Sequence, residues 1–132
     1  MKFLVFAALI VVSAGSIMQY PAKIGDFIEI PFGPDARTWK RQLNGGEVQF
    51  LKACANSDNS DRCTHWSDED GVVLLSSPKS RAFNNGTLHI YHFGKSDVGT
   101  YSSPEIKGRT FSVPGGGIGG VAGPVVDVFI QE

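Results

Sequence analysis

The sequence predicts an all-β chain folded as a two-sheet antiparallel sandwich, and three observations carry that expectation. Beyond residue 16 the apolar residues recur with period two rather than 3.6. The apolar runs are short and separated by turn chemistry, with 16 glycines and 7 prolines among 132 residues. No segment carries the wide apolar stripe of an amphipathic helix. The length suits one domain, and a hydrophobic share of 42% is enough for a packed core and too high for a disordered chain. A formal charge of −1 lacks the electrostatic footprint of a nucleic-acid binder.

Residues 1–16 read as an address. Lys2 precedes the apolar run Phe3-Leu4-Val5-Phe6-Ala7-Ala8-Leu9-Ile10-Val11-Val12, and Ser13-Ala14-Gly15-Ser16 supplies small residues, which together make a secretory signal peptide. A bilayer takes about 20 apolar residues, twice this run. Cleavage is expected after Ala14 or Ser16, the second favoured, leaving residues 17–132 as a single domain. Its formal charge would be −2, since Lys2 leaves with the peptide. No later stretch is long enough for membrane insertion, and the charged end Val125-Val126-Asp127-Val128-Phe129-Ile130-Gln131-Glu132 is too short for a lipid-anchor signal. The expected product is soluble, secreted and extracellular, so its thiols should oxidise.

The first strand signal is Phe27-Ile28-Glu29-Ile30-Pro31-Phe32, with Ile28, Ile30 and Phe32 on one face. In Glu47-Val48-Gln49-Phe50-Leu51-Lys52 the apolar face is expected at Val48 and Phe50. Leu88 and Ile90 alternate with Thr87, His89 and Tyr91, and Val126, Val128 and Ile130 alternate with Asp127 and Gln131. Such alternation fits strands with one face on a core and the other wet. Gly33-Pro34-Asp35, Asn44-Gly45-Gly46 and Asn84-Asn85-Gly86 provide the turns between them. Pro21 confines its surroundings to an edge strand or a kink.

Two stretches fall outside this pattern. Residues 55–70 are dense in Asp, Asn and Ser and read as a loop or ragged strands. Residues 114–124 hold six glycines in eleven positions and read as a mobile loop or as a contact loop whose bare backbone can approach a partner. A phosphate cradle there is disfavoured because no lysine follows in P-loop position. Cys54 and Cys63 permit one intramolecular pairing, a local staple around residues 55–62, the alternatives being free thiols or pairing between chains. With His65 they lack the paired short spacings of a zinc site.

The stretch Leu88-x-Ile90-x-x-Phe93-x-x-x-Asp97-x-Gly99-x-Tyr101 resembles the strand E to strand F signature of the immunoglobulin superfamily, including its tyrosine corner. Trp39 in Thr38-Trp39-Lys40-Arg41 resembles the buried strand C tryptophan, Ile28-Glu29-Ile30-Pro31-Phe32 resembles strand B, and Val126-Asp127-Val128-Phe129-Ile130 resembles strand G. The likeness covers most of residues 20–131 and implies an immunoglobulin-like two-sheet antiparallel sandwich. It implies that the Tyr101 hydroxyl bonds upstream backbone, and that Arg81 and Asp97 form an ion pair closing one end. The chain departs from the family where Phe32 and Ser103 stand at the positions of the inter-sheet cysteines. A phenylalanine can match that bridge in volume but not as a cross-link.

Asn85-Gly86-Thr87 is an acceptor sequence for N-linked sugar in an exported chain, and equally a turn. Asp58, Asp61, Asp68, Glu69 and Asp70 invite a calcium reading, but with Asp58 as first ligand Arg62 and Cys63 fall where an acid and a glycine belong, so a solvated loop is expected. His65, His89 and His92 lie in no nucleophile motif, and His89 and His92 should face opposite sides of a strand. These residues call for no metal, cofactor or catalytic group. The expected function is that of a secreted recognition module binding an extracellular protein or cell-surface receptor through the stapled acidic loop and the glycine-rich segment. The alternative is a small secreted inhibitor or defence effector acting on an extracellular enzyme or microbe.

Overall fold

The structure, a computed structural model, describes residues 17–55, 57–76, 79–106, 109–112, 118–121 and 124–131. The signal-peptide reading concerns residues 1–16 and lies outside them. Short strands dominate: β1 (Ile17–Ala22), β2 (Ile28–Pro31), β3 (Thr38–Leu43), β4 (Val48–Lys52), β5 (Ser80–Ala82), β6 (Thr87–Ile90), β7 (Gly99–Ser102), β8 (Arg109–Ser112), β9 (Ile118–Val121) and β10 (Val125–Ile130). Among the described residues the helical elements are one turn, α1 (Asp61–Thr64), and a 3-10 turn at Lys95–Asp97. A five-stranded sheet in the order β1-β10-β7-β3-β4 faces a three-stranded sheet in the order β2-β6-β5. The chain is thus an all-β two-sheet sandwich.

Among the described residues, pairing between the strands is antiparallel except at one edge, where β1 runs parallel to β10 with Met18 opposite Val126 and Tyr20 opposite Val128. β1 and β10 come from opposite ends of the described chain, so no tight hairpin dictates their direction. The core receives Ile28 and Ile30 from β2, Leu88 and Ile90 from β6, and Trp39, Leu51, Tyr101, Val126 and Val128 from the larger sheet. Phe32 stacks on Trp39 with ring centroids 4.6 Å apart, filling the space beside the tryptophan with aromatic volume. Ser103 is buried and its hydroxyl donates to Glu105.

Strand β4 corrects the sequence reading by one residue. Its inward face carries Gln49 and Leu51, while Val48 and Phe50 lie half-buried on the other side. The cause is on the neighbouring strand. Arg41 shares the inward parity of Trp39, lies directly opposite Gln49, and donates from Nε to Gln49 Oε1 at 2.8 Å. A buried guanidinium requires acceptors, so the amide is drawn inside and the apolar alternation shifts phase.

The glycine-rich stretch also differs from a simple loop, because Ile118–Val121 forms β9 and pairs with β8 as a hairpin between β7 and β10. Residues 113–117 and 122–123 lie outside the described residues. The described residues of the polar stretch 55–70 include α1 and the buried Cys63 and Trp66.

Candidate functional site

A polar clamp underlies one end of the sandwich. Tyr101 lies wholly buried on β7, and its hydroxyl donates to the Asp97 carbonyl oxygen at 2.5 Å. That bond pins the 3-10 turn to the strand that follows it. Arg41 Nη1 donates to Asp97 Oδ1 at 2.8 Å and to Tyr101 Oη at 2.9 Å, and the second Asp97 oxygen accepts the Gly94 amide at 3.0 Å. The Arg41 guanidinium also sits 4.1 Å from the centre of the Trp66 ring. Trp66 is anchored in turn by its indole N–H, which donates to Ser80 Oγ at 2.9 Å.

The ion pair expected between Arg81 and Asp97 is therefore corrected: the partner of Asp97 is Arg41. Arg81 instead reaches into the polar segment, donating to the carbonyl oxygens of Ala55 at 2.7 Å and Asp58 at 2.6 Å and to Asn59 Oδ1 at 3.2 Å. Its place on β5, paired with β6, directs it to the stapled segment rather than to the corner.

Burial pushes the Tyr101 phenol up beyond its ordinary range, and the Arg41 charge opposes this only in part. Unfolded phenols titrate near about pH 10, so above that value the unfolded chain releases a proton that folded Tyr101 retains. Stability then falls as pH rises, by up to about 1.4 kcal/mol per pH unit for this one group. Tyr101→Phe is expected to cost about 1–3 kcal/mol at neutral pH and to flatten that alkaline decline. Urea titrations of both chains from about pH 8 to 11 read both effects.

Above the clamp lies the stapled arm. Cys54 and Cys63 form a disulfide with their Cα atoms 5.9 Å apart, and Cys63 itself is buried within α1. Beyond α1 the chain returns to the sheet edge, where Ser67 and Phe50 exchange two backbone hydrogen bonds of 2.8 Å. This covers one edge of β4, which would otherwise offer unpaired backbone groups to another chain. Asp68 closes the next turn on itself, its Oδ1 accepting the amides of Asp70 and Val72 at 2.9 Å. Asp58 likewise accepts the Ser60 amide at 3.1 Å, and that bond holds its carboxyl below the usual carboxylate range.

Between arm and sheet runs a cleft of about 570 Å³ whose walls include Lys52, Asp58, Arg62, Asp68 and Glu69. Asp61, Glu69 and Asp70 are exposed on the arm. Cys54, Asp58 and Cys63 lie close enough to share an ion, but both sulfurs are committed to the disulfide and so are not thiolate ligands.

Elsewhere, His89 Nε2 lies 3.2 Å from Glu29 Oε2 on the outer face of the smaller sheet, His65 Nδ1 lies 3.0 Å from Thr64 Oγ1, and His92 is exposed. Asn85 is exposed at the turn between β5 and β6. Gly99 lets β7 approach β3, since a Cβ there would lie 2.3 Å from the Gln42 carbonyl oxygen. At the opposite side of the corner, Glu105 Oε1 accepts the amides of Thr38 at 2.8 Å and Arg37 at 3.2 Å. Desolvation raises its carboxyl, but the bonds from Thr38 and Ser103 outweigh that and leave it below its ordinary value.

Sequence reasoning singled out Cys54, Cys63, Asp97, Gly99, Tyr101 and Trp39, which the structure places in the staple, the corner and the core, gave Arg81 the wrong partner, and passed over Arg41, Gln49 and Trp66. The available signals were the shared parity of Trp39 and Arg41 and a lone indole in a stretch otherwise rich in Asp, Asn and Ser. No family model matches the chain, and no curated protein matches it either.

Proposed function

We propose that this chain is an exported immunoglobulin-like recognition module that engages an extracellular protein or cell-surface partner through its stapled arm, by binding rather than turnover. The observation that supports this best is the organisation of a polar segment that could not form a core of its own. A disulfide, the Arg81 bonds to Ala55, Asp58 and Asn59, the Trp66 anchor and the backbone bonds to β4 all hold it in place. A surface fixed before encounter loses less conformational entropy on binding, which favours affinity. The β8–β9 hairpin offers a second contact element.

Removing the staple separates fold from function. The bridged residues are nine apart in sequence, a loop whose closure is worth about 2.7 kcal/mol on the chain-entropy account. Cys54→Ser with Cys63→Ser should cost about that much in urea denaturation while leaving a folded sandwich, because the clamp does not pass through sulfur. Fluorescently labelled chain 17–132 should bind intact cells or extracellular matrix saturably and be displaced by unlabelled chain. The doubly substituted chain, folded by near-ultraviolet dichroism, should bind more weakly. Absence of saturable binding, or inhibition of an extracellular hydrolase in its place, overturns the proposal.

A further inference from the structure

We propose that the turn at residues 83–87 is a built seat for an N-linked glycan, carried by Asn85 and packed through its first N-acetylglucosamine against the Phe83 ring. The inference rests on the export half of the reading above and is independent of which partner the arm binds.

Two observations converge on it. The first is the acceptor itself. Asn85 is exposed, and its Oδ1 accepts the Thr87 amide at 3.1 Å, so the side chain is already oriented by the residue that completes the acceptor sequence. The turn is closed by the Gly86 amide on the Phe83 carbonyl at 3.0 Å and the Phe83 amide on the Thr87 carbonyl at 2.9 Å.

The second is what lies beside it. Phe83, Asn84 and Asn85 line one cleft of about 520 Å³ together with Ala55 and Ser57 of the stapled arm. A sugar on Asn85 Nδ2 would thus emerge next to an aromatic ring, with the arm as the facing wall. Phe83 is half-buried, meeting His89 edge-on with ring centroids 4.7 Å apart. A pyranose presents C–H bonds of partial positive character on its apolar face, and the negative π-face of an aromatic ring attracts them. Hydroxyls on the other sugar face stay in water, while Ser57 and Asn84 add polar residues to the cleft lining.

The covalent step uses a lipid-diphosphate-linked oligosaccharide as co-reactant. The Asn85 amide nitrogen forms a bond to the anomeric carbon, the bond from that carbon to the diphosphate oxygen breaks, the amide gives up one proton, and the lipid diphosphate leaves.

The test is secretion of the full chain from a eukaryotic host, with and without Phe83→Leu. Intact mass before and after peptide-N-glycosidase should show one glycan at Asn85. Thermal melts of glycosylated and enzymatically deglycosylated chain should differ by about 4 °C with Phe83 and by much less with Phe83→Leu. In chain trimmed to one N-acetylglucosamine, the acetyl methyl proton should be shifted upfield by the Phe83 ring current and return to its free-sugar position in the variant. Secreted chain with unmodified Asn85, or a glycan whose stabilisation and methyl shift are indifferent to Phe83→Leu, overturns this proposal alone. Chain retained in the cytosol with residues 1–16 intact overturns it together with export.

Discussion

Asp97→Ala should destabilise the chain by about 3–5 kcal/mol, well beyond the loss expected from Tyr101→Phe. Asp97 is completely buried and Arg41 is 1% exposed, so the variant leaves a guanidinium inside the sandwich without its counter-charge. It also strips the Gly94 amide of its acceptor, which loosens the turn that Tyr101 closes. Arg41→Met tests the other side of the pair, leaving Asp97 with the Gly94 amide but no cation. Combining Arg41→Met with Asp97→Ala should cost less than the two single costs added, because neither charge is then stranded. The double-mutant cycle read by urea denaturation isolates that coupling. A single-variant loss below about 1 kcal/mol, the range of exposed ion pairs, would sink the account of a dry clamp.

The same clamp marks where sequence reading stops. Strands β2, β6 and β10 were legible because each pairs an apolar face with a polar one over several residues. The turn at Asp97, Gly99 and Tyr101 was legible because its chemistry is local, with donor and acceptor four residues apart. Arg41 was not, because a charged residue on a strand is ordinarily outward, and its acceptor Asp97 lies 56 positions away. The face of β4 was then misread as a direct consequence, since Gln49 goes inside to satisfy Arg41. Trp66 was hidden for a related reason: composition averaged over residues 55–70 describes the exposed majority and conceals an indole that docks. Arg81 was assigned by analogy to a partner it does not have, because the stapled arm supplies nearer acceptors. Sequence alone locates local chemistry well, whereas long-range polar partnerships depend on the register of two sheets.

Gly86→Ala carries the second large effect, about 3–4 kcal/mol, built from two independent costs. Gly86 has φ +86°, in the left-handed region where a β-carbon is strained. A Cβ at that position would also lie 1.5 Å from the Gly33 carbonyl oxygen and 2.2 Å from its carbon. Both are backbone atoms, so no rotamer change relieves the overlap, and the two turns must separate. Their separation breaks the bond from the Phe32 amide to the Gly86 carbonyl, 2.8 Å long, and loosens the aromatic stack of Phe32 on Trp39. Gly45→Ala is the control: it too lies in a turn, yet nothing stands within 4 Å of its added carbon, so its cost should stay within about 0.5 kcal/mol. The acceptor sequence needs Asn85 and Thr87 and tolerates any residue but proline between them, so Gly86→Ala leaves it intact. Glycan occupancy in that variant therefore separates loss of the turn from loss of the sugar. Equal melting temperatures for Gly86→Ala and Gly45→Ala would mean that the two turns do not interlock, and the seat proposed for an Asn85 glycan would lose the backbone that shapes it.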